Sequence, residues 1–125
     1  MPELTPNDKA AQILDAARES IMERGYNGFS FRDIAAKVGI KSASIHYHFP
    51  TKADLAEATA KAYREAFSNL LKELTAPDAP GLLRAYGALF VFTLRDQGRV
   101  CLGGVLVVDS STLPGQVRQE VQRFF

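Results

Sequence analysis

Cysteine is all but missing from this chain. Its 125 residues include one, Cys101, so no internal disulfide is possible and a reducing cytosol suits the sequence. Net charge is nearly missing as well. The formal balance is +1, which by itself argues for no partner. Long apolar runs are absent. "VCLGGVLVV", Val100 to Val108, is about half the length of a membrane span, and Met1 to Asp15 holds no apolar core of a secretory signal. No GxxxxGK phosphate loop, repeat or low-complexity tract occurs. What remains is 46% hydrophobic and 23% charged, the make-up of an ordinary globular protein. The length suits one compact domain, or a small module fused to part of a second.

The charge is unevenly placed. Between Arg24 and Lys52 stand Arg24, Arg32, Lys37, Lys41 and Lys52 against Asp33 alone, a local +4 that leaves −3 for the rest. A basic segment in a near-neutral chain has two readings, a polyanion partner or plain solvated surface.

Apolar spacing reads as helix almost throughout. Ile13, Ala17 and Ile21 recur every four residues. Thr5, Pro6 and Asp8 make a helix start, and Gly25 a stop. Ser30 and Asp33 form an S-x-x-D cap for a short helix carrying Ile34, Ala35 and Val38, which Gly39 ends. Ser42 is expected to cap the next short helix, which turns Ile45 inward and ends by Phe49 because Pro50 comes next. Thr51 and Asp54 open a long helix whose buried stripe reads Leu55, Thr59, Ala62, Tyr63, Ala66, Phe67, Leu70, Leu71 and Leu74. "TAPDAPG", Thr75 to Gly81, is the clearest boundary. Leu82, Leu83, Tyr86, Leu89, Phe90 and Leu94 give another apolar helix, and "DQGR" a turn. "VCLGGVLVV" is ambiguous, since valine-rich runs of this length favour strand by propensity. "TLPG" interrupts again, a last helix starts near Gln116, and the sequence is expected to stop partway through it.

A helix from Ser30, a tight "VGI" turn and a second helix from Ser42 have the spacing of a helix-turn-helix. Gly39 supplies the freedom that turn needs. At about 100° per residue, Ser42, Ala43, His46 and Tyr47 share one arc of the second helix while Ile45 points away. Short hydroxyls and planar groups on that arc suit base edges and phosphate oxygens.

"FSFRDIAAKVGIKSASIHYHFPTKADL", Phe29 to Leu55, resembles the DNA-binding segment of the tetracycline-repressor (TetR) family of bacterial transcription regulators. The resemblance rests on the phenylalanine pair around the serine, the D-I-A-x-x-x-G turn, the Tyr-His-Phe-Pro tail, and Lys52 with Leu55. The preceding helix, Ala10 to Gly25, fits as well. It implies an all-α fold, with a three-helix DNA-binding domain at residues 1–50 and the start of a helical effector and dimerisation domain at 51–125. It implies that Ser30 and Arg32 meet backbone phosphate. Lys41, Ser42, Ala43, Ser44 and His46 then face the major groove, Tyr47 and His48 meet phosphate, and Lys52 fastens the long helix to the DNA backbone. Many members have tyrosine where this chain has His46 and glycine where it has Ala43, so relatives do not supply the operator sequence. Members usually dimerise through two helices that would lie beyond Phe125.

Plainer readings stand beside these. His46 and His48 are about 200° apart on a helix, so they cannot share one metal ion, and no catalytic constellation surrounds them. His48 has a packing role against Phe49 as its alternative; Arg32 and Lys37 have plain surface charge as theirs. Tyr63, Phe67, Tyr86, Phe90 and Phe92 line an effector cavity or simply fill core. Cys101 follows Arg99 near a helix start, a setting that favours reactive thiols. The stretch around it resembles TetR-type regulators of which some respond to electrophiles or oxidants; the alternative is a small buried hydrophobe. The expected protein is a cytoplasmic, dimeric repressor that a small molecule releases from duplex DNA, with no cofactor and no enzyme activity. The rival is a helical protein-interaction module that docks partners on its aromatic helices.

Overall fold

The computed structural model describes residues 6–125, which form an all-α protein. Thr5, part of the expected first helix start, lies outside these residues. Helix α1 spans Pro6–Arg24, α2 Phe31–Val38, α3 Ser42–His48 and α4 Lys52–Glu73. Helix α5 spans Ala79–Gln97, α6 Leu102–Val108 and α7 Gly115–Phe124.

Helices α2 and α4 start on local chemistry, and α2 also stops on it. Ser30 Oγ accepts from the Asp33 amide at 3.2 Å, and Gly39 ends α2 in the left-handed region at φ 78°. A Cβ resists that backbone. Thr51 Oγ1 accepts from the Asp54 amide while the Asp54 carboxylate accepts from the Thr51 amide, each at 3.1 Å. That reciprocal pair satisfies two amides the helix leaves free.

Three expectations need correction, and one open reading is resolved. Ser42 does not cap α3. It is the first helical residue, and Lys41 before it is extended and gives no side-chain cap. Helix α5 starts ahead of Gly81, at Ala79, because the Asp78 carboxylate accepts from the Gly81 amide at 2.7 Å with proline in the first turn. It then runs to Gln97, so the turn expected over "DQGR" is confined to Gly98, at φ 64°, and Arg99. The valine-rich run, ambiguous by sequence, is helix over Leu102–Val108. Cys101 Sγ accepts from the Gly104 amide at 3.3 Å, and Leu102 and Leu106 bury themselves against α1 and α7. Tertiary burial outweighs a propensity worth under about 1 kcal/mol.

One apolar core joins the two ends of the chain. Ile13, Ala17, Ile21, Ile34, Ile45 and Leu55 are fully buried, and the same cluster takes in Leu102, Leu106, Val117 and Val121. Helix α4 runs through it, packed on α1 and α7. The buried stripe expected along α4 holds for Leu55 and Thr59 but fades toward its far end, where Ala66 and Leu70 are exposed.

Candidate nucleic-acid interface

Helices α2 and α3 meet through Ile34, Ala35 and Ile45, all buried, with Val38 and Ile40 against the same core. Burying Ile45 fixes how α3 is rolled. Ala43, Ser44, His46 and Tyr47 are therefore exposed, Tyr47 to 82%, and Ser42 is half-buried. Ala43, His46 and Tyr47 are three of the four residues on the arc the spacing predicts; Ser44 joins them in place of Ser42 on an uncovered strip of a helix locked from behind.

The flanking groups divide into free and engaged. Among the described residues Arg32 and Lys41 are exposed and make no ion pair. Arg24 pairs with Asp33 at 3.3 Å, and Lys37 lies between Glu19 and Glu23 at 4.0 and 3.8 Å. So two cations of the basic segment beside Arg24 and Lys37 are uncommitted. The Ser30 hydroxyl oxygen accepts from the Asp33 amide at the α2 cap, and its own O–H stays available to donate. His48 is half-buried, its ring against Tyr47 at 5.2 Å and Phe49 at 6.3 Å.

Lys52 has a second occupation. Its ammonium lies 4.8 Å from the Tyr26 ring centroid and 4.7 Å from that of Phe29. Partial burial lowers its pKa from the ordinary lysine value. The cation thus holds the start of α4 over the α1–α2 turn.

Sequence reasoning missed how that turn is gripped. The Asp109 carboxylate accepts from the Tyr26 amide at 3.0 Å. Gly25 has φ 76°, and a Cβ there would lie 2.8 Å from the same carboxylate oxygen. Asn27 donates to Thr112 Oγ1 at 3.1 Å, and Arg99 pairs with Glu23. Gln116 donates to Asp54 and Glu57 at 3.0 and 2.9 Å, and with Thr51 it draws the Asp54 pKa down. Every one of these bonds crosses more than fifty positions, which local periodicity does not register. The glycine at position 25 was the available signal, and it reads only as a helix stop.

Four of the effector candidates gather. Phe67 lies 6.1 Å from Tyr86, 5.4 Å from Phe90 and 5.1 Å from Phe124, and Tyr63 lies 5.7 Å from Phe124. Together they join α4, α5 and α7. Of these residues Tyr86 borders an open apolar groove of about 390 Å³ with Leu71, Leu74, Ala79, Leu82 and Leu83, and Tyr63 a cleft of about 120 Å³ with Arg18 and Thr59. Phe92 is 67% exposed. Cys101 is buried at the start of α6. Burial, then the nearby Cys101, raises the Tyr63 pKa.

A core-locked second helix with an uncovered polar strip, flanked by unpaired cations, defines a helix-turn-helix regulator fold. The model for bacterial regulatory proteins of the tetR family matches residues 13–59. A TetR-family regulator from Agrobacterium tumefaciens superposes with a TM-score of 0.90 at 36% identity, over 97% of this chain and 65% of that one. A TetR transcriptional regulator from Legionella pneumophila gives 0.85 at 31%, over 99% and 67%. The biofilm operon icaADBC negative transcriptional regulator IcaR of Staphylococcus aureus is 37% identical over 60 residues, 48% of this chain and 32% of that protein. The chain belongs to the TetR family of bacterial transcription regulators. It spans about a third of that curated relative and about two thirds of the two solved structures.

Proposed function

We propose that this protein is a repressor that reads a palindromic DNA operator through α3 and leaves it when a small molecule binds. The observation that carries the reading is the roll of α3. Ile45 is fully buried while Ala43, Ser44, His46 and Tyr47 stand exposed on the side away from it. Ala43, Ser44 and His46 then face bases with Lys41 and Ser42. Ser30, Arg32, Tyr47, His48 and Lys52 face phosphate. A helix of seven residues reads few base pairs, and each is worth about 1–3 kcal/mol of discrimination. Selecting a site therefore takes two copies on a two-fold operator. In this reading residues 1–50 form the DNA unit and residues 51–125 belong to the effector and dimerisation unit.

The aromatic cluster of Tyr63, Phe67, Tyr86 and Phe90 is the proposed effector wall, with Cys101 beside Tyr63. An effector there displaces α5 and α6 relative to α4. The bonds from Asp109, Thr112, Arg99 and Gln116 pass that displacement to the α1–α2 turn and the head of α4. Release follows when the effector prefers the arrangement that does not fit DNA.

Footprinting the intact protein on the DNA upstream of its own gene tests this. Protection of two half-sites about one helical turn apart, lost on adding the effector, is expected. Equal, salt-independent and negligible affinity for that DNA and for scrambled duplex would instead support docking of a protein partner on the exposed side chains of α5.

A further inference from the structure

His46 is not a freely turning imidazole. Its Nδ1 lies 3.1 Å from the Pro50 carbonyl oxygen, and its ring sits against Phe31 with centroids 4.5 Å apart and planes inclined at 56°. A carbonyl oxygen only accepts, so the proton of the neutral ring belongs on Nδ1. The other nitrogen, Nε2, is then an acceptor without a proton. The two nitrogens diverge around the five-membered ring, so Nε2 is directed away from Pro50. The side chain is exposed, on the strip of α3 that bears Ala43 and Tyr47. Proline at position 50 holds its own φ at about −65°, which leaves ψ alone to place this carbonyl.

An acceptor on that strip selects its partners. Phosphate oxygens carry no proton to give. In the major groove, guanine shows N7 and O6 and thymine shows O4, all acceptors; only adenine N6 and cytosine N4 present amino donors. We propose that His46, held in its Nδ1–H form by Pro50 and Phe31, is a specificity-determining residue that demands an exocyclic amino group, of adenine or cytosine, at one step of each half-site. This rests on the DNA-reading role of α3 and adds the base chemistry that role would use. Tyrosine could not impose this demand, since a hydroxyl both donates and accepts.

Two measurements test it separately. The first needs no DNA. Long-range proton–nitrogen NMR on the intact protein with nitrogen-15-labelled histidine, at pH 8 where imidazoles are neutral, reports which nitrogen holds the proton; the spectrum of His46→Phe identifies the His46 signals. A protonated Nδ1 is expected, and a protonated Nε2 overturns the proposal. The second uses the best-bound duplex from a random pool, with adenines replaced one at a time by purine and cytosines by 2-pyrimidinone, which lack the amino group. At one step per half-site the wild type is expected to lose about fivefold in affinity, the value of one neutral hydrogen bond, and which analogue causes the loss separates adenine from cytosine. His46→Phe should bind the duplex about fivefold more weakly and be indifferent at that step alone. His46→Gln, which can donate and accept, should bind and tolerate guanine or thymine there. A wild type indifferent at every step, or a phenylalanine variant that keeps the preference, overturns the tautomer proposal while leaving α3 as the DNA reader. Failure to bind any duplex overturns the DNA reading and this inference together.

Discussion

The two ends of α4 carry the same apolar periodicity and meet opposite surroundings. At the head, Leu55, Ala56, Thr59 and Ala60 are buried among α1 and α7, the helix is capped on both sides of Thr51, and Gln116 ties Asp54 and Glu57 to the last helix. At the tail, Leu70 is 49% exposed, and Leu82 and Leu83 of α5 across from it are 45% and 71% exposed. Periodicity says which side of a helix is apolar; it does not say whether anything lies against that side. The head is a finished joint between α1, α4 and α7. The tail is apolar surface and groove, the kind of place where a ligand or another chain finds most to bury.

The sharpest way to break this comparison is by truncation at each end. Leu55→Ala should lower stability by about 2–5 kcal/mol, because its cavity opens in a packed core. Leu70→Ala should change it by about 0.5 kcal/mol or less. Chemical denaturation of the intact protein checks both, and equal losses would mean the tail is as buried as the head.

Next in size is the ion cluster behind the head. Glu120 is 2% exposed, bound by Arg64 at 3.0 Å and Arg123 at 2.6 Å. Burial pushes its pKa up, but the two arginines outweigh burial and hold it below the ordinary value. The folded state therefore holds this proton more weakly than the unfolded chain. The resulting stability is complete above the unfolded pKa, near 4.3, and is lost as pH falls below it. Arg64→Met should cost about 3 kcal/mol at pH 7 by stripping a buried carboxylate of a partner. It should also move acid unfolding to higher pH, which circular dichroism against pH would show. An unchanged acid midpoint would mean Arg123 alone satisfies Glu120.

A smaller effect is expected at the grip on the α1–α2 turn. Asp109→Ala leaves the Tyr26 amide without its acceptor and should cost about 1–2 kcal/mol. More telling is the effector response of DNA binding, which should weaken by more than that stability loss accounts for. A variant that releases DNA as the wild type does would show that the grip is structural only.

Much of the head was legible from sequence. Ser30 with Asp33, Thr51 with Asp54, Gly39 and Pro50 each carry a local rule, and the structure obeys them. The roll of α3 followed from Ile45 alone. Ser42 misled because a serine before a helix invites a cap, yet the chain enters α3 one residue earlier, at Lys41. The run after Val100 stayed ambiguous because its valines speak for strand, and contact with α1 and α7 goes with the helix it forms. Lys52 was legible as a cation at the head of α4, but not as one lying over Tyr26 and Phe29, since both rings come from an earlier turn. His46 was visible as a departure from its relatives; its bond to Pro50 was not, because which nitrogen meets which carbonyl is a matter of side-chain geometry rather than of pattern.

The central claim is that the exposed strip of α3, with the unpaired cations beside it, binds DNA. Its most direct test is the salt dependence of affinity for the footprinted duplex, measured for the intact protein and for Arg32→Ala and Lys41→Ala between about 50 and 200 mM salt. Neither cation has an ion pair to lose among the described residues, so the melting temperature should hold. The plot of log affinity against log salt should flatten for Arg32→Ala by about one unit of slope per phosphate contact removed, and for Lys41→Ala by less, in keeping with its place toward the bases. Slopes identical to the wild type in both variants, with affinity unchanged, would contradict the account.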